Sequence, residues 1–476
     1  MSNLAAKGTL QLVVEQMFLT GSGYVAALVL AWGLGPERFG LYVVLISVLV
    51  WVQRTALLGV PTATTKLVAE GRQPIAAVKQ SARAMGFGLV AAAFAGFWFG
   101  APWLARIFQV PDQVALFRLA ALDVPIYGMY LTYRGIGMGD RAFGVVFASG
   151  LVYGAAKLTG ALTLFWFGFS IATALIAYIF GSIAGLLFLI YRIRVPPARL
   201  EPPLARLIIS FALPLVVGDL GVSLLHHLDL WLLKALEGGA TDREIGVYAA
   251  VRLLAIAPEL ALVPLAAVLF PVISEALARG DRAQAQDHIR GAARVLWIAL
   301  LPVTALIAIE AEPTVRLLLP GQYAGGGAYL SIQVVGYGFM AALIVFLSIL
   351  KARGDFYTVV AVGIGLVLLM ALISPFWISA SGAIGAASAL VATTATGALI
   401  SGVLVGKRFG PFLPRSVLVN GFVATGSTAA AAALIPSDGL FLVLEYAVLV
   451  ALCCAILWAL GELRREHLQL FLPRRG

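Results

Sequence analysis

Long apolar runs separated by short polar connections fill almost the whole chain. A helix that crosses a bilayer needs about 20 mostly apolar residues, and runs of that length follow one another from end to end. No connection between them is long enough to hold a soluble domain. The pattern predicts an all-α, polytopic integral membrane protein with about 14 transmembrane helices. These helices are expected near residues 8–32, 38–60, 84–105, 115–137, 142–167, 170–191, 207–233, 246–272, 292–318, 326–350, 356–378, 381–405, 414–435 and 439–461.

The two halves of the chain show the same order of sequence features. The polar connection GLGPERFGLY at 33–42 returns in altered form as TDREIGVY at 241–248, and GMGDRAFGVVFASGLV at 137–152 is answered by KARGDFYTVVAVGIGLV at 351–367. The matching halves predict two parallel-repeat six-helix bundles with a substrate site between them. The predicted bounds are 1–195 and 200–408 for the bundles, 412–462 for two additional transmembrane helices and 463–476 for a basic cytoplasmic tail.

Composition and charge agree with this pattern. With 61% hydrophobic and 12% charged residues and a mean hydropathy of +0.98, the chain has too little polar surface for a soluble globule. Most of its Lys and Arg residues fall on one side of the predicted helices, which predicts that both termini face the cytoplasm. The net charge of +10 is therefore interpreted as contact with anionic membrane lipids, and no nucleic-acid partner is expected.

Several ionisable residues interrupt the apolar runs. A charged side chain at the bilayer centre costs about 2.5–3.5 kcal/mol, so these side chains are expected to face a polar cavity, a ligand or one another. The four His and two Cys residues form no H-E-x-x-H or comparable metal motif, and no metal or cofactor is expected. The residues placed centrally are Arg54, Lys157, Asp219, Arg252 and Glu259, and those nearer the helix ends are Glu15, Asp123, His226, His227 and Asp229.

Prolines also fall inside predicted helices. An interior proline removes one backbone hydrogen bond and kinks the helix, and in a membrane the freed carbonyl must find another partner or line a cavity. The kinks are open to two interpretations, as static bends or as hinges used in transport. The prolines are Pro125, Pro214, Pro258, Pro264 and Pro302.

In its ordered motifs the chain resembles the Wzx-type polysaccharide flippases of the multidrug/oligosaccharidyl-lipid/polysaccharide exporter superfamily. The motifs are loose one by one, and their order covers nearly the full length. They are LGPERFGLY at 34–42, VAEG at 68–71, FALPLVVGDLGVSLLHHLDLWLL at 211–233, GVYAAVRLLAIAPELALVPLAAVLFPVISEAL at 246–277, KARGDFY at 351–357 and GAIGAASALVATTATGAL at 382–399.

The resemblance implies a V-shaped pair of bundles that moves an undecaprenyl-diphosphate-linked oligosaccharide from the inner to the outer leaflet of the bacterial cytoplasmic membrane. It implies a cationic cavity, for which Arg54, Lys157 and Arg252 are the candidate ligands of the headgroup phosphates. Asp219, Glu259 and Glu15 are the candidate carriers if transport is coupled to protons or sodium. The expected partners are the lipid-linked substrate, membrane lipids, glycosyltransferases and a glycan polymerase, with the protein itself a monomer.

Three other functions stay open. A multidrug exporter and a lipid II flippase share the superfamily, although the two extra helices and the basic residues within the membrane favour a phosphate-bearing substrate. A membrane glycan polymerase is the enzymatic alternative. It is disfavoured because the sequence has no large external loop for catalysis, and we expect a transporter and no enzyme.

Overall fold

The computed structural model describes residues 2–57, 59–199, 201–236, 241–434 and 439–463, and the predicted tail at 463–476 lies almost wholly outside that range. Helices connected by short turns make up these residues, and no strand occurs among them. The chain forms two compact units, Met1–His227 (unit 1) and Leu228–Gly476 (unit 2), and the division falls inside one long helix. The predicted all-α membrane architecture is confirmed.

Unit 1 begins with a 56-residue helix that is interrupted once. A straight helix of that length would extend about 84 Å, nearly three times the hydrocarbon core of about 30 Å. The break lies at Gly35, whose φ of 72° and ψ of 168° are non-helical, and Pro36 follows it. Glycine adopts this positive φ without a steric penalty. The helices are α1 (Ser2–Leu57), α2 (Gly59–Glu70), α3 (Ile75–Ile107), α4 (Val114–Ala121), α5 (Asp123–Gly139), α6 (Phe143–Phe167), α7 (Ile171–Arg192) and α8 (Pro202–Leu236), which continues into unit 2.

Unit 2 contains a second interrupted helix of 54 residues. Its break lies at Ser381 and Gly382, and Gly382 has a φ of 56°. Close behind the break, Gly385 packs so tightly against the Trp377 backbone that a Cβ there would collide with it. The helices are α9 (Asp242–Ala255), α10 (Ala257–Ala278), α11 (Arg282–Ile309), α12 (Ala311–Leu318), α13 (Gly327–Arg353), α14 (Phe356–Phe409), α15 (Arg415–Leu434) and α16 (Phe441–Ala459).

Twelve helices in the described part of the chain are long and apolar enough to cross a membrane. The predicted number of about 14 is not confirmed. One candidate of 61 residues, Leu10–Glu70, covers most of α1 together with α2, and another of 54 residues, Phe356–Phe409, is the interrupted helix α14. The multi-pass membrane architecture nevertheless follows directly from the length and hydropathy of these helices.

Three helices that were predicted to be continuous are divided in the structure. The predicted helices at 115–137, 246–272 and 292–318 each become two helices, so their predicted continuity is wrong. In each case the second helix carries a proline in its first turn, at Pro125, Pro258 or Pro313. In the first turn the N–H that proline lacks would have had no partner within the helix. A proline therefore destabilises a helix less in its first turn than in its interior. Pro302, by contrast, stays inside α11.

Candidate functional site

The charge of Glu15 is balanced by an ion pair inside unit 1. Its side chain lies on α1, is buried, and forms an ion pair with Arg134 of α5. The pair is bidentate: Arg134 Nη1 donates to Glu15 Oε1, and Nη2 donates to Oε2 at 3.2 Å. The Tyr130 hydroxyl lies 3.5 Å from the same Nη1. On α6, Gly150 leaves room for the carboxylate, since a Cβ at this position would collide with it.

A second polar cluster in unit 1 surrounds Asp123 at the start of α5. This buried carboxylate accepts a hydrogen bond from Gln53 Nε2 to its Oδ2 at 2.6 Å. Within the described residues, its other oxygen, Oδ1, accepts no hydrogen bond. The charge of Lys157 on α6 acts on Asp123, while the Lys157 ammonium lies over the Tyr178 ring, 4.0 Å from its centroid. This geometry is a cation–π contact.

Arg54 and Asp219, for which the sequence suggested different roles, form an ion pair with each other. Arg54 Nε donates to Asp219 Oδ2 at 2.8 Å and Nη2 donates to Oδ1 at 3.4 Å. The Arg54 side chain is 47% exposed and the Asp219 side chain 22%. The carboxylate therefore covers one edge of the guanidinium, and the exposed remainder is open to a second anion.

The ion pair lies on an antiparallel seam between the end of α1, α2 and α8. A Cβ at Gly59 would lie 2.7 Å from the Ala212 Cβ, so glycine is what permits this close approach of the helices. Further along the seam the Lys66 ammonium lies 3.8 Å from the centroid of the Phe211 ring. Close packing of this seam positions Arg54 opposite Asp219.

Unit 2 has its own buried cluster around Asp229 on α8. The Tyr248 hydroxyl donates to Asp229 Oδ2 at 2.8 Å, and Arg252 Nη1 lies 3.9 Å from Oδ1. The Arg252 guanidinium also lies 5.9 Å from the centroid of the Tyr337 ring. Gln333 Nε2 donates to the Tyr248 backbone carbonyl at 3.3 Å and fixes α9 against α13.

The remaining candidates are placed as follows. Glu259 is buried in the first turn of α10, and His226 Nδ1 lies 2.9 Å from the Val222 carbonyl oxygen one turn earlier on α8. No group of three or more His, Cys, Asp or Glu side chains suited to a metal ion occurs in the part of the chain that the structure describes.

Sequence reasoning missed three partners of the candidate residues. Arg134 binds Glu15, Gln53 binds Asp123, and Tyr248 binds Asp229. Arg134 lies close to the end of the predicted helix at 115–137 and is not among the candidate residues. The signal that was present for Tyr248 is its place in the repeated motif, where it matches Tyr42.

Two interrupted helices, a repeated order of elements and paired charges within apolar helices are features of a polytopic membrane fold built from repeats, as found in secondary transporters. The chain matches the family model described as "Polysaccharide biosynthesis protein" over residues 5–277, which is more than half of its length. The chain belongs to this family. No curated protein matches it.

Solved transporter structures share the fold at low sequence identity. The structure titled "Lipid II flippase MurJ, inward closed conformation" has a TM-score of 0.77 at 12% identity, over 93% of this chain and 97% of that chain. An inward-facing multidrug resistance MATE family transporter of the MOP superfamily has a TM-score of 0.73 at 14% identity, over 84% and 98% of the two chains. A MOP superfamily transporter from Pyrococcus furiosus has a TM-score of 0.60 at 14% identity, over 85% of this chain and 95% of that chain.

Together, the family match and the fold confirm the expected resemblance. The chain is a multi-pass membrane protein of this polysaccharide biosynthesis family, and it shares its fold with solved MOP superfamily transporters.

Proposed function

We propose that this protein flips an undecaprenyl-diphosphate-linked oligosaccharide from the inner to the outer leaflet of the bacterial cytoplasmic membrane, with both termini in the cytoplasm. One observation carries the proposal: in a polysaccharide biosynthesis family member, Arg54 keeps 47% of its side chain exposed inside an apolar helix. Asp219 covers one edge of the guanidinium, so the exposed donors remain for a second anion, and a diphosphate is the anion that such a substrate brings.

The guanidinium is suited to this role by its geometry. Its planar donors bind two oxygens of a phosphate together, whereas a lysine offers a point charge. We propose that Arg54 and Arg252 bind the headgroup phosphates and that Lys157 adds positive charge from its position over Tyr178. In the structure Asp219 pairs with Arg54, and Asp229 lies beside Arg252.

Transport of this kind needs neither ATP nor a catalytic group. A diphosphate and a glycan cannot cross hydrocarbon without a polar path, while the polyprenyl tail stays in lipid. Moving about two negative charges outward across an inside-negative membrane is favourable by about 2.3 kcal/mol per charge per 100 mV. If an ion is also coupled, Asp219, Glu259 and Glu15 are the carboxylates we propose for it. Among these, Glu15 already has a bidentate partner.

Surface glycan in living cells tests the cationic site. We expect Arg54→Ala and Arg252→Ala to abolish glycan export while the protein stays in the membrane, because each lost charged hydrogen bond weakens phosphate binding by about 1.5–3 kcal/mol, roughly tenfold or more. The matched control is Arg279→Ala, which removes an arginine that is 67% exposed and pairs with Glu275 one turn earlier. Normal surface glycan in cells with Arg54→Ala and in cells with Arg252→Ala would show that these arginines are not the phosphate ligands.

A lipid II flippase is the second candidate, favoured by the likeness to the structure titled as a MurJ lipid II flippase. The two substrates share a polyprenyl diphosphate and differ in the sugar part. Purified protein offered both lipids in liposomes should translocate the oligosaccharide lipid faster, and faster movement of lipid II would replace our proposal with this one. Formation of a new sugar bond in the same vessel would indicate a glycan polymerase.

A role in polysaccharide export also implies partners. We propose that glycosyltransferases supply the lipid-linked substrate on the cytoplasmic side and that a glycan polymerase consumes it on the outer side. The flippase itself is proposed to work as a monomer.

A further inference from the structure

A deep apolar groove opens inside unit 2, away from the charged clusters. It has a volume of about 830 Å³ and lies between α11, α13 and the second half of α14, with the connection at 411–413 closing one end. Its walls include Trp297, Leu301, Phe339, Phe346, Gly402 and Phe412. Within a membrane protein such a groove lies in an apolar solvent, so its shape and its rim decide what occupies it.

The depth of the groove matches one leaflet of a bilayer. Its walls run along residues 293–305 of α11 and 335–346 of α13. At 1.5 Å per residue these segments are about 18 and 17 Å long, whereas half of the hydrocarbon core is about 15 Å. A single acyl chain of a phospholipid is that long, and an undecaprenyl chain is much longer.

The closed end of the groove carries basic side chains. Arg290 Nε donates to the Pro411 carbonyl, 3.5 Å away, and Pro411 lines the groove. Lys407 and Arg408 follow the lining residue Gly406 directly. Two acidic residues partly balance this rim: Asp287 lies 3.6 Å from Arg290, and Asp355 lies 3.5 Å from Arg408. Asp355 also pairs with Arg353 at 3.0 Å, so the three basic residues Arg290, Lys407 and Arg408 leave the rim with a net positive charge.

We propose that this groove binds one anionic phospholipid of the leaflet on the basic side, independently of the transported substrate. One acyl chain fills the space between the three helices, and the headgroup phosphate contacts the rim formed by Arg290, Lys407 and Arg408. A juxtamembrane basic residue favours an anionic lipid about fivefold, so the rim selects the headgroup while the groove selects a chain of one-leaflet length.

Glycine gives the groove its width. A Cβ at Gly402 would lie 3.3 Å from Phe346 Cε2, and a Cβ at Gly406 would lie 3.6 Å from Phe412 Cε1. Leucine at position 402 therefore fills part of the groove. The matched control is Gly365→Leu on the same helix, because Gly365 is exposed and has no atom within 4 Å of the corresponding Cβ position.

Photoactivatable lipids test the site. The full-length protein in nanodiscs would receive phosphatidylglycerol or phosphatidylcholine with a diazirine in the acyl chain, and mass spectrometry would locate the labelled peptides. We expect phosphatidylglycerol to label peptides of α11, α13 and the second half of α14, and Gly402→Leu but not Gly365→Leu to lose this label. Lys407→Gln should reduce the preference over phosphatidylcholine about fivefold, whereas Arg279→Gln should not.

Three results would overturn the proposal. Equal labelling of the groove by the two lipids would remove the headgroup selection, and undiminished labelling of Gly402→Leu would remove the groove as the site. Displacement of the label by a polyprenyl diphosphate would assign the groove to the tail of a transport substrate. If Gly402→Leu fails to fold, the headgroup preference of Lys407→Gln still decides the question.

Discussion

The first helix of each half buries a carboxylate, and the two carboxylates are bound in different ways. Glu15 on α1 and Asp229 on α8 are both fully buried. Arg134 holds Glu15 through two donors, while Arg252 approaches Asp229 only to 3.9 Å and Tyr248 provides the hydrogen bond. The first helices of the two halves have therefore produced a bidentate ion pair in unit 1 and a cluster with a tyrosine hydrogen bond in unit 2.

This difference bears on which charges can act on a substrate. A guanidinium whose two donors face one carboxylate is occupied by it, so Arg134 is interpreted as a structural residue. Arg54, by contrast, keeps 47% of its side chain exposed beside Asp219. We accordingly keep Arg54, with Arg252, as a proposed substrate ligand and give Glu15 the weakest claim among the proposed ion carriers.

The largest expected effect is on stability after removal of the carboxylates. Glu15→Gln should lower the free energy of unfolding by about 3–5 kcal/mol, because it leaves the Arg134 charge without its partner. Asp229→Asn should cost about 1–3 kcal/mol, since the Tyr248 hydroxyl can still donate to the amide oxygen. Denaturant unfolding of the purified variants in the same detergent measures both values. Equal losses would contradict the distinction between the two clusters.

Arginine to lysine substitutions sharpen the same comparison. A lysine cannot reproduce a bidentate contact, so Arg134→Lys should lose one charged hydrogen bond, about 1.5–3 kcal/mol. Arg252→Lys, which keeps a charge near Asp229, should cost less. Thermal unfolding of the pair gives the order, and a greater loss for Arg252→Lys would show that unit 2 holds the tighter pair.

The tyrosines give a smaller effect. Tyr248→Phe removes the 2.8 Å hydrogen bond to Asp229 and should cost about 1–2 kcal/mol. Tyr130→Phe removes only a 3.5 Å contact with Arg134 and should cost about 0.5 kcal/mol. Both retain the ring, so the difference reports the hydroxyl alone. Unfolding curves that rank them in the opposite order would place the stronger tyrosine bond in unit 1.

The smallest expected effect on stability comes from Glu312, a carboxylate outside the spanning helices, and this effect depends on pH. Burial acts to raise the pKa of Glu312, but the N–H groups of Gly325 and Gly327, which it binds at 3.1 and 2.9 Å, and the nearby Arg316 outweigh burial and hold the pKa below its ordinary value. A lowered pKa contributes stability above the unfolded-state pKa of about 4.3. This stability is lost as the pH falls through the folded-state value.

Glu312→Gln should therefore be less stable than the parent by about 1 kcal/mol at neutral pH, after allowance for solvent screening. The difference should shrink below about pH 4, where the parent carboxylate also becomes neutral. Unfolding midpoints across this pH range measure it. A difference that stays constant with pH would show that the carboxylate charge contributes nothing there.

Hydropathy and the polar connections predicted the helices better than they predicted the contacts. The polar connection near Gly35 marks the break in α1, and the long apolar runs mark the spanning helices, because both are local properties of the chain. Glu15 and Arg134 are 119 residues apart, and nothing local links them. The Arg54 and Asp219 pair likewise depends on a helix seam whose register a single sequence does not specify.

The divided helices show where a local rule was available and was misapplied. Pro125 and Pro258 were interpreted as kinks inside long helices, yet each lies in the first turn of a new helix. A proline fits a first turn because its missing N–H is not needed there. A proline in a long apolar run is thus compatible with a new helix start as well as a kink, and only tertiary packing chooses between the two.

Reconstituted transport tests the central claim most directly. Protein in liposomes would receive an undecaprenyl-diphosphate oligosaccharide in one leaflet, and a membrane-impermeant sugar-binding probe would follow its arrival in the other. We predict faster translocation than in protein-free liposomes, further acceleration by a potential that favours movement of negative charge in that direction, and loss of activity in Arg54→Ala but not Arg279→Ala. Translocation no faster than in empty liposomes, or full activity in Arg54→Ala, would contradict the account.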